Sequence, residues 1–194
     1  MYELFFQKFN ESVPLNQEEQ DIMRTHLMPK KLRKKQYLLQ EGDVCKYIAF
    51  VETGVLRAYT VSEKGAEHIF QFALEGWLIS DLYSFLTDEP AVYNIDALED
   101  AELVLISKPA QEELLKKLPK YETYTRLQLT GAYIAMQRRL TSIISLPLEE
   151  RYTYLTSLYP DIVQRVPQHM IASFMGVTPE TLSRARGRLT RNSS

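Results

Sequence analysis

Cysteine is almost absent. Cys45 is the single thiol in 194 residues, so no disulfide can close within the chain. An iron–sulfur cluster, which needs about four ligands, has no set of thiolates here. Histidine is scarce as well: His26, His68 and His169 are scattered and show no metal-ligand spacing. No apolar run approaches the roughly 20 residues needed to span a bilayer. The first dozen positions carry acids and polar residues, which excludes a signal peptide. Overall basicity is also missing, since the net charge is −2. These absences predict a cytoplasmic protein with no membrane partner, no metal and no cofactor.

What is present is a globular composition, 45% hydrophobic and 25% charged, with enough apolar material for a core. The charge is unevenly split. From Gln137 onward there are eight Arg, no Lys and four acids, giving +4. The remainder carries 15 basic and 21 acidic residues, giving −6. A basic C-terminal segment on an acidic body suits a separate nucleic-acid module.

The segment itself supports that reading. Met170, Ile171, Phe174 and Met175 form an apolar face at helical spacing. Gly176 stops that helix, because a left-handed backbone costs glycine little. Thr178 can cap a second helix, with Pro179 at its first position. Leu182 and Leu189 turn inward, one heptad apart. Thr178, Glu180, Thr181, Ser183, Arg184 and Arg188 are left for other partners. This is the layout of a helix-turn-helix, whose second helix enters the major groove of duplex DNA. Arg184 has the fork that matches guanine O6 and N7, and Glu180 can accept from a cytosine amino group. Thr178 and Ser183 suit phosphates. The plain alternative is an amphipathic helical hairpin with a solvated arginine face.

Upstream, residues 1–28 read as helical, with Asn16 as a cap, Ile22, Met23 and Leu27 as a stripe, and Pro29 as the stop. Lys30, Lys31, Arg33, Lys34 and Lys35 read as a solvated connector. From Gln36 the period changes to two. The strand signals are 36–43, a hairpin over 47–61 broken at Thr53-Gly54, then 67–74, 91–98 and 101–106, which argues for a sandwich or rolled barrel. Ser107 and Pro109 start a helix to about Leu118. A longer one follows Pro119 to about Ser145. In it Leu129, Tyr133, Met136, Leu140 and Ile143 keep the 4-3-4-3 spacing of a coiled-coil seam. A second stripe, Leu127, Gly131 and Ile134, suits packing on the strands. Two stripes imply two partners, which favours a parallel dimer helix over a core helix. The division expected is 1–118, 119–145 and 146–194.

A rolled sheet, a long dimer helix and a C-terminal helix-turn-helix, in that order, resemble the CRP/FNR family of bacterial transcription regulators. The most specific pieces are Glu41-Gly42-Asp43, the segment from Tyr47 to Arg57, and the segment from Gly176 to Arg184. The resemblance implies an α+β protein. It would have a double-stranded β-helix (jelly roll) that binds a small-molecule effector, a homodimer helix, and a winged-helix-like module reading a palindromic operator. It implies double-stranded DNA and RNA polymerase as partners. Glu180 and Arg184 take the base-contacting positions, and Pro179 replaces the usual preceding Arg. Cyclic-nucleotide binders of the family carry Gly-Glu-Leu and an Arg-Ser or Arg-Thr pair. Here the matching positions are Ser80-Asp81-Leu82 and Ala91-Val92, so the phosphate lacks its Arg and cyclic AMP is not expected to bind tightly. Arg57, Ser80 and Asp81 remain candidates for an effector pocket. Little room for a hairpin before the module, or a wing after it, predicts fewer phosphate contacts and a shallower salt slope.

Two other classes compete. A cupin-like metal enzyme with a helical tail would need several His and a carboxylate in the roll, and only His68 lies there. A cyclic-nucleotide-responsive module acting on a protein would not need Glu180 and Arg184 on an exposed face.

Overall fold

The computed structural model describes residues 2–192. Two short helices open the chain, α1 (Glu3–Ser12) and α2 (Gln17–Arg24). Asn16 caps α2 as expected, and Glu19 completes a reciprocal capping box with it. The helical reading of 1–28 runs too far, however. Met28–Leu32 is strand β1, with Pro29, Lys30 and Lys31 inside it. The chain resolves the conflict at a sheet edge: β1 is outermost, where a missing proline N–H and solvated lysines are tolerated. Lys31 reaches across to Glu102 on the neighbouring strand.

The remaining strands are β2 (Tyr37–Leu39), β3 (Tyr47–Thr53), β4 (Leu56–Val61), β5 (Glu67–Ala73), β6 (Leu78–Ile79), β7 (Asn94–Ala97) and β8 (Ala101–Ser107), with helix α3 (Leu82–Thr87) between β6 and β7. They form two four-stranded sheets, ordered β1-β8-β3-β6 and β2-β7-β4-β5. The expected hairpin over 47–61 is therefore wrong. β3 pairs with β6 and β8, whereas β4 pairs with β7, so the chain crosses between sheets at Gly54.

Gly54 makes that crossing because little else fits. Its φ is +95°, and a Cβ there would sit 2.7 Å from both the Asp100 carbonyl oxygen and the Ala101 Cβ. Gly54→Ala is expected to destabilise the fold by about 3 kcal/mol, from a left-handed backbone plus a clash with fixed backbone. Urea unfolding checks this; a loss under about 1 kcal/mol would mean the crossing yields easily.

Alternation along β3 and β8 explains their long apolar runs. Ala49, Val51, Leu103 and Leu105 face a core inside the roll. Phe50, Val104 and Ile106 face a second core on the outside. That outer core is built by α1, α2, α4 (Lys108–Lys117) and the start of α5 (Pro119–Ser145). Phe9 stacks on Tyr124 at 4.1 Å between ring centroids, and Phe5 meets Phe50 edge-on at 5.2 Å. Burial pushes the Tyr124 hydroxyl up to about 12. Ser107 caps α4, and Glu52 accepts the first N–H groups of α1 from Leu4 and Phe5.

Burial along α5 ends at Tyr124. The second stripe is not packed: Leu127 and Ile134 are exposed, like the seam positions. α6 (Leu148–Leu158), α7 (Ile162–Arg165), α8 (Gln168–Phe174) and α9 (Pro179–Asn192) complete the chain. The position after α9, where a reduced wing at most was expected, lies outside the described residues.

Two compact units emerge, Met1–Thr60 with Phe70–Leu129, and Val61–Ile69 with Thr130–Ser194. The division between these units falls within α5, and the bend between β4 and β5 goes with the C-terminal helices.

Candidate nucleic-acid interface

α8 ends in a Schellman motif. The N–H of Val177 donates to the Ala172 carbonyl and that of Gly176 to the Ser173 carbonyl, each at 3.0 Å, with Gly176 at φ +70°. The last carbonyls are also claimed. Arg139 donates to Phe174 O at 2.8 Å and lies over the Phe174 ring at 3.9 Å, and Arg151 donates to Met175 O. Two cations at the negative end of a helix are favourable, although burial lowers the Arg151 pKa. Ser173 binds the β4–β5 bend twice, donating to Glu67 O and accepting from the Ile69 N–H, both at 3.0 Å.

α9 starts as expected. Thr178 Oγ1 accepts from the Thr181 N–H at 3.3 Å, and Pro179 takes the first position. Leu182 and Ala185 are fully buried, and α9 packs on α8 and α6. Of the two inward leucines expected, Leu182 is buried and Leu189 only partly so, and Ala185 adds a buried contact between them.

Glu180, Ser183, Arg184 and Arg188 are exposed on one helical stripe, i, i+3, i+4 and i+8. Thr181 lies partly buried beside them. Arg184 Nη2 donates to Thr181 Oγ1 at 3.5 Å, and the Thr181 and Thr178 hydroxyls are 3.1 Å apart. The helix-start N–H and the Thr178 hydroxyl hold the Glu180 carboxyl below its ordinary pKa, with Arg184 adding attraction, so it is an ionised acceptor at neutral pH. Arg188 alone is tied elsewhere: its Nε donates to Glu149 Oε1 at 2.6 Å, on the first turn of α6. Sequence reasoning missed Glu149, Arg139, Arg151 and Ser173, because each acts across elements and leaves no local spacing signal.

The candidate effector residues each have partners within the chain. Arg57 is bidentate on Asp96, at 2.8 and 3.0 Å, with its guanidinium 4.0 Å from the Tyr59 ring centroid. It belongs to the face of β4 opposite Leu56 and Ala58, which point into the roll. Asp81 is buried as the cap of α3; its two oxygens accept from the N–H groups of Ser84 (3.0 Å) and Val92 (2.9 Å). Ser80 donates to Tyr47 O at 3.2 Å. The three are thus accounted for by internal partners. A pocket of about 480 Å³ opens on the roll, lined by Leu38, Leu39, Cys45, Lys46, Tyr47 and Ile95 among others, and Ser80 lies against its wall, bonded to Tyr47 O and 3.4 Å from Cys45 Sγ.

The seam residues of α5 are exposed in the single chain: Leu129 49%, Tyr133 62%, Met136 55%, Leu140 60% and Ile143 45%. Among the described residues no helix is long and apolar enough to cross a membrane.

Along the chain a rolled sheet, one long helix and a helix-turn-helix follow in that order. Residues 29–118 match the profile of the cyclic nucleotide-binding domain. The anaerobic regulatory protein of Haemophilus influenzae is 26% identical over 190 residues, spanning 91% of this chain and 73% of that protein. The fumarate and nitrate reduction regulatory protein of Yersinia pestis is 27% identical over 191 residues, spanning 92% and 75%. The solved structure of FixK2 from Bradyrhizobium japonicum superposes with a TM-score of 0.72 at 19% identity, covering 86% of each chain. The chain thus resembles regulators of the CRP/FNR type along most of its length, in sequence and in fold. Both of these relatives are named as regulatory proteins.

Proposed function

We propose that this protein is a cytoplasmic homodimer that reads a palindromic operator through α9. A small-molecule effector other than cyclic AMP acts in the roll, and RNA polymerase is the downstream partner. The observation that carries this reading is the exposed stripe of Glu180, Ser183 and Arg184 at the start of a helix whose opposite side is buried. A guanidinium fork and an ionised carboxylate one turn apart can address adjacent base edges in the major groove. The exposed seam of α5 supplies the two-fold partner, and two recognition helices then meet half-sites about one helical turn apart. An effector that binds one dimer geometry better than the other shifts that spacing.

The role of α9 is tested by measuring affinity for a bound duplex and for its single-base variants. Arg184→Ala and Glu180→Ala are each expected to cost about 1–3 kcal/mol and to relax preference at one position per half-site. A uniform loss across all sequences, with preferences intact, would assign both residues to phosphates or to folding instead.

A further inference from the structure

Arg188 lies on the same stripe as Glu180 and Arg184, one turn beyond Arg184, yet it does not stand ready for a phosphate. Its Nε and Nη2 both approach Glu149 Oε1, at 2.6 and 2.5 Å. Arg188 keeps more than half of its side chain exposed, so DNA could reach it, while Glu149 is about one-quarter exposed. The Arg188 guanidinium helps hold the Glu149 carboxyl below its ordinary pKa, after the hydrogen bond from its own backbone N–H. The pair is therefore fully charged at neutral pH. Exposed pairs of this kind are weak, so a phosphate can displace the carboxylate. The displaced carboxylate is then left near the polyanion, which repels it.

We propose that Glu149 is a specificity-determining residue: it occupies Arg188 in free protein and so withholds one phosphate contact from DNA that offers nothing else. On a correct operator the base contacts of α9 fix its register and hold a phosphate against Arg188; on random sequence nothing fixes that register, and Arg188 stays with Glu149. Glu149 also sits on the first turn of α6, immediately after α5 ends at Ser145. A shift at the end of the long helix thus changes how well the carboxylate reaches Arg188. This inference rests on the DNA-binding reading of α9.

The test uses the full chain and a random-sequence duplex, with binding followed by fluorescence anisotropy between about 50 and 200 mM salt. Glu149→Gln is expected to tighten random-sequence binding by about fivefold or more at low salt and to steepen the slope of log K against log salt by about 0.9, one extra phosphate. Glu150→Gln removes the same charge from the adjacent exposed position and is expected to leave the slope unchanged. In the Arg188→Ala background the effect of Glu149→Gln disappears. The proposal is overturned if Glu149→Gln weakens binding, which would make the pair a brace for α9. It is equally overturned if Glu149→Gln matches Glu150→Gln, or if its effect survives without Arg188. Wild-type protein that fails to bind any duplex at low salt overturns the DNA-binding reading itself.

Discussion

A chain carrying Met136→Glu and Leu140→Glu is expected to be monomeric at micromolar concentration and to bind its operator more than about a hundredfold more weakly. Both residues are more than half exposed in the single chain, in a row with Leu129, Tyr133 and Ile143. Five large apolar side chains at 4-3-4-3 spacing would leave a long stripe in water, which a second α5 in parallel would bury as a two-stranded seam. Glutamates at adjacent seam layers would place like charges against each other in a desolvated interface. The fold of each chain should survive, because burial on α5 ends at Tyr124, three turns earlier. Operator affinity falls because one recognition helix loses the tethered second half-site. Sedimentation gives the mass and anisotropy gives the affinity. A variant that stays dimeric would move the dimer interface elsewhere. A monomer that binds as tightly as wild type would remove the need for two half-sites.

The second large effect is on stability. Phe9→Ala is expected to lower unfolding free energy by about 3–5 kcal/mol. Phe9 is fully buried, with its ring 4.1 Å from Tyr124, 6.5 Å from Tyr121 and 6.2 Å from Phe5. It joins α1 to the start of α5, so its loss opens a cavity where the long helix is anchored to the roll. The midpoint of urea unfolding reports the change, and a loss below about 1 kcal/mol would mean the cluster refills around the gap.

How far the sequence revealed this fold depends on how local each cause is. Asn16 and Glu19, Ser107, and Thr178 with Pro179 are caps whose partners lie within four residues, so helix starts were legible. β3 and β8 were legible as strands because both of their faces are buried. β1 was not, since an edge strand can be Met-Pro-Lys-Lys-Leu without cost. The turn at Gly54 was visible, but not that it changes sheets, because the reason is the Asp100 carbonyl 46 residues away. The α9 stripe was readable from helical period alone. The partner of Arg57 was not legible, because Asp96, its cross-strand neighbour, lies 39 residues away. The Glu149–Arg188 pair spans 39 residues and left no trace in either local pattern.

The most direct measurement is a selection of duplexes from a random pool against the purified full-length protein. The account predicts one enriched palindrome, with two half-sites centred about one helical turn, 10–10.5 base pairs, apart. Enrichment of a lone half-site, or of no sequence at moderate salt in a dimeric protein, would contradict it.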